Sequence, residues 1–267
     1  GQFLLRIEDI DVQRSRTVFE KQIFEDLEWL DLTWETPVRR QSEHFDTYKQ
    51  VSEKLLQMNL LYPCFATRKQ ISENAGNTNS RDPDGMPIYP GIYKTLDPEE
   101  ARSRIAAGEK YCLRIHMDRA QAQALRISGG PLSYRQLDPE SGQTKDQPIN
   151  PSRWGDTVIA RKDVPTSYHL SVVVDDALQG ITHVTRGQDL EAATDIHRLL
   201  QILLDLPSPL YHHHKLIRDD QLQKLSKRDK AQSLKSLRES GISQAEIREI
   251  VDLTASDSQH IMRGLIA

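Results

Sequence analysis

The first sixty residues combine one short apolar run with two stripes of hydrophobic residues at helical spacing. Residues 3–7 read as a strand that runs directly into the acidic turn Glu8-Asp9-Ile10-Asp11. Apolar residues recur every three or four positions over 14–30 and over 43–60, which predicts two helices. The positions concerned are Phe19, Ile23, Leu27, Leu30, Phe45, Tyr48, Leu55 and Met58. An order of strand, helix and helix is typical of a doubly wound α/β unit.

The middle of the chain is richer in turn-forming residues. Asn, Asp, Gly and Pro dominate 71–93, which indicates a long loop. Asp97 and Pro98 then have the sequence of a helix N-terminus, and Gly108 is placed to end that short helix.

A strand and a second turn-rich stretch are expected next. Apolar and polar residues alternate over 111–117, which predicts a half-buried strand. Turn-forming residues return over roughly 128–152. We therefore expect 62–150 to be an insertion between the halves of a larger domain.

The pattern after residue 150 alternates again between strands and helices. Residues 157–160 and 181–185 read as strands, and 194–204 as an apolar helix. Residues 168–178 fit either a strand, through three consecutive valines, or a helix ended by Gly180; we favour the helix. Ser243 and Glu246 have the spacing of a capping box, which predicts a short helix in the tail.

Composition excludes several classes of protein. The chain has 267 residues, with 35 Lys plus Arg against 39 Asp plus Glu, so its formal charge is −4 and no global basic field indicates nucleic-acid binding. No apolar run reaches the ~18 residues that a membrane span needs. Two cysteines are too few for a disulfide framework or a complete zinc site, which favours a reducing, cytoplasmic location.

A basic pentapeptide near the end of the chain is a candidate phosphate-binding loop. It reads Lys224-Leu225-Ser226-Lys227-Arg228. Two lysines so spaced can bracket a polyphosphate, and the small serine lets backbone N–H groups approach it. A solvated basic loop is the alternative interpretation.

Four segments in one order resemble the catalytic half of the class I glutamyl-tRNA synthetases. They are Arg6 to Asp11, Tyr168 through Ala177, Thr182-His183-Val184-Thr185-Arg186-Gly187 and the Lys224–Arg228 loop. The run from Arg186 to Leu190, with Ala193-Thr194, is most similar to the shortened paralogues of that family, the glutamyl-queuosine tRNA(Asp) synthetases. Only 39 residues follow Arg228, whereas the full synthetases carry an anticodon-binding region there, which also favours the paralogues.

This resemblance implies a Rossmann-like α/β catalytic domain with an inserted α+β subdomain. We expect 1–61 and 151–217 to form the catalytic halves and 62–150 an acceptor-type subdomain. Residues 218–267 are then the KLSKR loop and a helical tail.

The implied activity is ATP-dependent activation of glutamate to glutamyl-adenylate without tRNA, with Mg²⁺ accompanying ATP. The glutamyl group would then pass to the cyclopentenediol of queuosine in tRNA(Asp). The alternatives are the catalytic part of an ordinary glutamyl-tRNA synthetase and an inactive RNA-binding relative.

The resemblance also implies roles for individual residues. Glu8 would bind the α-ammonium group of glutamate, and Tyr168 and Arg186 a carboxylate, because Arg alone offers a bidentate fork. Lys227, assisted by Lys224, would contact ATP and stabilise the charge that grows on the leaving pyrophosphate. From composition alone, Glu8 could equally be a solvated strand end, Arg186 a surface ion pair and Tyr168 a packing residue.

Two departures from the family pattern change the expectation. The HIGH-type motif of the family precedes its Arg-Ile-Glu-Asp strand, and this chain starts at that strand, so we expect it to activate glutamate weakly or not at all as it stands. The family's zinc site is reduced here to Cys64 and Tyr89, with Tyr93 in place of the last cysteine. One thiolate and one phenol are too few ligands, so zinc is not expected.

Overall fold

The computed structural model describes residues 1–74, 80–216 and 233–251. The helices in these ranges are α1 (Thr17–Trp29), α2 (Phe45–Gln57), α3 (Arg68–Asn74), α4 (Pro98–Ala106), α5 (Met117–Ser128), α6 (Tyr168–Leu178), α7 (Thr194–Leu204), α8 (Leu234–Glu239) and α9 (Gln244–Ile250). The strands are β1 (Leu4–Ile7), β2 (Glu35–Arg40), β3 (Leu61–Cys64), β4 (Cys112–Ile115), β5 (Ser133–Leu137), β6 (Thr144–Pro148), β7 (Val158–Ala160), β8 (His183–Gly187) and β9 (Leu210–His214).

The N-terminal part forms a βαβ unit. β1 and β2 are parallel, with Ile7 opposite Arg40, and α1 connects them. The predicted order of strand, helix and helix was therefore wrong, because β2 lies between α1 and α2. β2 reads Glu-Thr-Pro-Val-Arg-Arg, and its single aliphatic residue and its proline hid it from the hydrophobic pattern. Both strands end at the same edge, so Glu8 and Gln41 follow there.

A second sheet carries Arg186, one of the residues nominated for glutamate binding. Its order is β6-β5-β9-β8, in which β8, β9 and β5 are parallel and β6 is antiparallel to β5. Arg186 on β8 lies opposite His213 on β9. The prediction of a strand that leads to Arg186 and Gly187 is confirmed.

The turn-rich reading of 128–152 was wrong, because β5 and β6 form a hairpin there. β6 reads Thr-Lys-Asp-Gln-Pro, and four of its five residues are exposed, so it has no buried face that would give a strand pattern. β5 belongs to the predicted insertion yet pairs with β9 of the predicted catalytic half. The domain limits given above stay a prediction.

The third sheet is antiparallel, in the order β3-β4-β7. β7 confirms the strand expected at 157–160, whereas β3 was not predicted. β4 is shorter than the expected strand over 111–117 because α5 begins at Met117. Helix α5 was also missed; it buries Ala120 and Ala124, four residues apart on one face.

Capping residues begin and end several helices as expected. The Asp97 side chain accepts hydrogen bonds from the backbone N–H groups of Glu99 and Glu100, at the start of α4. Gly108, with a φ of 80°, follows that helix. Ser243 and Glu246 form the predicted capping box of α9.

Helices α6 and α7 lie at the centre of the main hydrophobic core. The choice of a helix over 168–178 is confirmed by α6, and α7 has the predicted bounds. Leu170, Ile196, Leu199 and Leu200 are fully buried, together with Leu55 of α2. Burying each such side chain contributes about 1.5–3 kcal/mol. The same helices carry the polar residues described below, so the core fixes their positions.

Across the described ranges, no helix combines the length and the apolar character needed to cross a lipid bilayer.

Candidate active site

Glu8 follows β1 directly, at the carboxyl end of the parallel β1–β2 pair. Arg6 Nη2 donates a hydrogen bond to Glu8 Oε1 at 3.3 Å, and 42% of the Glu8 side chain stays exposed. Desolvation by surrounding atoms raises the pKa of Glu8, while the Arg6 charge opposes that rise. The carboxylate is thus partly desolvated and still open on one side, as a binding site for a cation requires.

Arg6 connects Glu8 to helix α6. Its Nη1 donates to Asp176 Oδ1 at 2.9 Å and to Gln179 Oε1 at 3.1 Å. Desolvation raises the pKa of Asp176, and the nearby Arg6 and Arg186 charges lower it. Asp176 therefore lies within electrostatic reach of both arginines.

Asp175 is a buried acceptor for three side chains outside α6. Its carboxylate accepts hydrogen bonds from Arg39 Nε at 2.8 Å, Gln41 Nε2 at 2.9 Å and Tyr48 Oη at 2.8 Å. The side chain has no exposed surface. Since a buried charge is tolerated only with such partners, Asp175 holds α6 against β2 and α2.

Arg186 lies at the end of β8 among four neutral acceptors. Its Nη1 donates to His197 Nδ1 at 3.1 Å and to Tyr168 Oη at 3.5 Å. Its Nη2 donates to Thr194 Oγ1 at 2.6 Å, and its Nε donates to His213 Nε2 at 3.3 Å. Neutral acceptors fix the guanidinium without neutralising its charge, so that charge can attract a carboxylate.

Tyr168, the first residue of α6, contacts Arg186 through its phenolic oxygen at 3.5 Å. Burial raises the pKa of the Tyr168 phenol; the Arg186 charge lowers this pKa and the Glu8 charge raises it. The phenol is thus in contact with Arg186 and within electrostatic range of Glu8. Of the three residues that the sequence nominated for the amino acid, the structure joins Tyr168 and Arg186 directly and links Glu8 to them through charge only.

Sequence reasoning missed the buried histidines around Arg186. His169 on α6 and His197 on α7 are joined by a contact of 3.2 Å between Nδ1 of His169 and Nε2 of His197. His213 belongs to a run of three adjacent histidines at 212–214. Alternation along β9 was the usable signal, because it points Tyr211 and His213 to the same buried side.

The candidate ATP loop cannot be placed in this site. Lys224 and Lys227 lie outside the described residues, so their nucleotide-binding role stays a prediction.

The degenerate zinc positions lie together in a small core. Cys64 Sγ donates a hydrogen bond to Tyr89 Oη at 3.3 Å, and Cys112 lies opposite Cys64 on β4. Both cysteines are buried free thiols. Within 1–74, 80–216 and 233–251, no group of three or more His, Cys, Asp or Glu side chains could hold a metal ion. The absence of zinc stays a prediction.

Comparison with known proteins places the chain in a family. Residues 1–262 match the family described as tRNA synthetases class I (E and Q), catalytic domain. The chain belongs to this family and is a ligase of the aminoacyl-tRNA synthetase type. The expected fold class is confirmed by this match and by the solved structures that resemble the chain.

Similar sequences carry two different names. A “Glutamyl-Q tRNA(Asp) synthetase” from Rhodobacter capsulatus is 44% identical over 95% of this chain and 88% of its own length. One of the same name from Symbiobacterium thermophilum is 35% identical over 91% of this chain and 73% of its own length. A “Glutamate--tRNA ligase” from Aquifex aeolicus is 35% identical over 90% of this chain but 47% of its own length.

Solved structures show the same partial coverage. The glutamate-tRNA synthetase of Elizabethkingia anophelis superimposes with a TM-score of 0.67 at 26% identity, over 86% of this chain and 46% of that one. A glutamate tRNA ligase from Elizabethkingia meningosepticum, solved in complex with its amino acid, gives a TM-score of 0.66 at 26% identity over the same shares of the two chains. The chain thus spans about half of the glutamate ligases that it matches.

Proposed function

We propose that the protein activates glutamate with ATP to give glutamyl-adenylate without tRNA, and then transfers the glutamyl group to the cyclopentenediol of queuosine in tRNA(Asp). The 44% identity to the Rhodobacter capsulatus protein, over nearly the full length of both chains, supports this choice within the family. The partners are glutamate, ATP with Mg²⁺ and tRNA(Asp) bearing queuosine, and the location is cytoplasmic.

The juxtaposition of Glu8, Tyr168 and Arg186 is the observation that carries the proposal. Glutamate has one ammonium group and two carboxylates, so a site for it needs an acid at one end and a base at the other. Glu8 supplies an open, partly desolvated acid. Arg186 supplies a fixed cation, with the Tyr168 phenol beside it. This complementarity in charge and position fits an acidic amino acid.

Each residue then has a distinct role. The Glu8 carboxylate accepts charge-assisted hydrogen bonds from the α-ammonium group. Arg186 donates two parallel N–H bonds to a carboxylate, which a lysine cannot reproduce. Tyr168, whose oxygen lies 3.5 Å from Arg186 Nη1, donates its phenolic proton to the same substrate.

Activation is a displacement at phosphorus. A glutamate carboxylate oxygen attacks the α-phosphorus of ATP, the bond to the bridging oxygen breaks, and pyrophosphate leaves with the bonding electrons. Lys227, assisted by Lys224, stabilises the charge that develops on that leaving group, and such contacts act mainly on the transition state. Mg²⁺ binds through the phosphates.

Transfer completes the reaction. A hydroxyl of the cyclopentenediol attacks the carbonyl carbon of the adenylate, AMP leaves, and an ester forms on the modified base. We further propose that 1–61 and 151–217 bind glutamate and ATP, and that 62–150 approaches the tRNA.

A second candidate is supported by other relatives. The Aquifex aeolicus glutamate ligase is 35% identical over 90% of this chain. In that case the glutamyl group would go to the terminal adenosine of a tRNA. A third candidate, an inactive RNA-binding relative, predicts no activation at all.

Exchange of radiolabelled pyrophosphate into ATP tests the activation step. The complete protein, with glutamate, ATP and Mg²⁺ and without tRNA, is expected to support exchange. Substituting Lys227→Ala should reduce the exchange rate about 10²- to 10³-fold, as for other lost transition-state contacts, with nearly unchanged glutamate affinity. Absence of exchange in the wild-type protein would reject the enzymatic proposal. A large loss of glutamate affinity in the Lys227 variant would reject its assigned role.

The position of the product bond separates the two enzymatic candidates. Labelled glutamate is supplied with tRNA(Asp) that contains or lacks queuosine, and with tRNA(Glu). Mild nuclease digestion should release the label on the modified nucleoside of tRNA(Asp), and only when queuosine is present. Label on the terminal adenosine would instead support the glutamate–tRNA ligase reading.

A further inference from the structure

Arg186 is surrounded by three imidazoles that the proposed mechanism does not use. His169, His197 and His213 are all buried, with between 2% and 9% of their surface exposed. Two of them contact the guanidinium directly, at 3.1 Å for His197 and 3.3 Å for His213. Thr194 Oγ1 lies 3.2 Å from the same nitrogen of His213. Burying polar rings costs free energy unless their nitrogens are hydrogen-bonded, so at each of these contacts a donor must face an acceptor.

An arginine fixes the protonation of any imidazole nitrogen that it faces. A guanidinium has only N–H donors, so the nitrogen opposite it must be an unprotonated acceptor. His197 must therefore carry its proton on Nε2, and His213 must carry its proton on Nδ1, a buried atom with no hydrogen-bond partner among the described residues. The Nε2–H of His197 then faces His169 Nδ1 at 3.2 Å, so His169 is protonated on Nε2 as well. One arginine thus determines three tautomers.

We infer that His197 and His213 are positioning residues, whose neutral imidazoles orient Arg186 for the substrate carboxylate. This inference rests on the glutamate site proposed above. Thr194 also contributes, because its Oγ1 accepts from Arg186 Nη2 at 2.6 Å and lies 3.2 Å from His213 Nε2, whose single lone pair its hydroxyl shares with Arg186 Nε–H. Arg186 Nε–H and one N–H on each terminal nitrogen are directed to these three side chains. The second N–H of Nη1 faces Tyr168 Oη at 3.5 Å, so a bidentate contact with the substrate carboxylate uses the second N–H of Nη2 and displaces this long bond to Tyr168.

Neutral acceptors have an advantage over carboxylates in this position. A carboxylate would orient the arginine but would compete with the substrate for its charge. A neutral imidazole orients the guanidinium without reducing its positive charge, provided that the accepting nitrogen stays unprotonated. Protonation would turn the acceptor into a donor and place two cations side by side, which would displace the guanidinium.

The surroundings of both rings oppose protonation. His197 faces Arg186, His169 and His213, while His213 faces Arg186, His212 and His214, and also lies against the phenol rings of Tyr134 and Tyr211. Burial, followed by the Arg186 charge, holds the pKa of His197 well below its usual range and lowers that of His213 to about 4. The arrangement therefore persists at neutral pH.

Nitrogen–proton correlation NMR of the histidine rings tests the tautomers without any substrate. At neutral pH, His197 is expected to be neutral with its proton on Nε2, and His213 neutral with its proton on Nδ1. Assignment uses the single variants His197→Gln and His213→Gln. A cationic ring at either position, or the opposite tautomer, would overturn the inference.

Glutamate affinity tests the positioning role. His197→Leu removes the acceptor, and calorimetry should show binding weakened about 10- to 100-fold, as expected for a lost hydrogen bond to a charged group. His197→Gln retains an acceptor oxygen and should restore affinity to within about threefold of the wild type. His116→Leu is the matched control: His116 is also buried, but it packs on Tyr62 and should leave affinity unchanged.

The possible outcomes separate positioning from a structural role. If His197→Leu and His197→Gln lower the melting temperature alike and neither alters glutamate affinity, His197 is only a core residue and the inference fails. If His197→Leu does not fold, His197→Gln and the NMR tautomers still decide. If the wild-type protein binds no glutamate, the proposed function fails, whereas the tautomer measurement reports separately on the contact with Arg186.

Discussion

At the scale of single residues, the site depends on a few charged groups held by several hydrogen bonds each. Asp175 accepts from Arg39, Gln41 and Tyr48, and Arg186 donates to four neutral side chains. The resemblance to the synthetase family identified Glu8, Tyr168 and Arg186 as candidate site residues, because residue type and order along the chain can be read from the sequence. The supporting residues could not be predicted in the same way. Asp175 follows an apolar helical run, and its partners lie more than a hundred positions away.

Replacing Asp175 should destabilise the fold strongly. Asp175→Asn keeps the shape but leaves the Arg39 charge without its buried partner, which should cost about 3–5 kcal/mol. Urea unfolding monitored by circular dichroism measures this cost. The control is Asp163→Asn, whose side chain is 63% exposed in its pair with Arg161; it should change stability by less than about 0.5 kcal/mol. Equal effects of the two variants would contradict the role given to Asp175.

Arg186 should not tolerate lysine. Arg186→Lys keeps the charge but loses the fork and several of the bonds to neutral acceptors, so glutamate affinity should fall about 10- to 100-fold. Calorimetric titration with glutamate measures this affinity. Arg104→Lys provides a matched substitution, since Arg104 stacks on Phe65 and Tyr93 away from this site, and should bind as the wild type does. Unchanged affinity in Arg186→Lys would argue against a bidentate contact.

At the scale of elements, helices with strong apolar periodicity or a capping sequence were predicted well. α6, α7, α4 and α9 all appear where the sequence placed them. The missed strands β2, β3, β5 and β6 are short or polar, and their neighbours in space, rather than their own residues, decide their structure. Helix α5 was missed because, after Met117 at its start, its buried face consists of the small residues Ala120 and Ala124.

Helix α7 should be the element most sensitive to a cavity. Leu199 is fully buried on this helix, which also carries Thr194 and His197. Leu199→Ala should cost about 2–5 kcal/mol through lost burial and the cavity left behind. Leu178→Ala makes the same change at a position that is 61% exposed and should have little effect. Thermal unfolding of both variants tests this; similar melting temperatures would show that the core is not centred on α7.

At the scale of the whole molecule, the chain folds as a class I synthetase catalytic domain, and the ordered set of motifs was sufficient to predict that class. The pairing of strands within the sheets could not be predicted from the sequence. β5 comes from a stretch that looked like an insertion, yet it pairs with β9, about 75 residues later. Only tertiary packing determines such a pairing.

Stability of the whole protein should decrease in mild acid. His169 and His213 have pKa values of about 4 in the folded state, against about 6.5 for a free imidazole. Between these values the unfolded chain binds protons that the folded chain does not. The stabilisation is therefore complete above about pH 6.5 and is lost as the pH falls towards 4, by about 2 kcal/mol per histidine at about pH 5.

Urea unfolding at pH values near 7 and near 5 measures this loss. The raised pKa values of Glu8 and Asp176 act in the opposite direction and reduce the net change. His169→Leu removes one titrating group, so the difference between the two pH values should shrink. If His169→Leu left the difference between the two pH values unchanged, the contribution assigned to His169 would be contradicted.

Helix α6 contacts both arginines of the proposed amino-acid site. Arg6, beside Glu8, binds Asp176 near the end of this helix, and Arg186 contacts Tyr168 at its beginning. A shift of α6 would therefore move the partners of both Arg6 and Arg186, and with them the residues proposed to bind glutamate. Attempts to redesign which amino acid is accepted should therefore start with the packing beneath α6, before the charged residues themselves are changed.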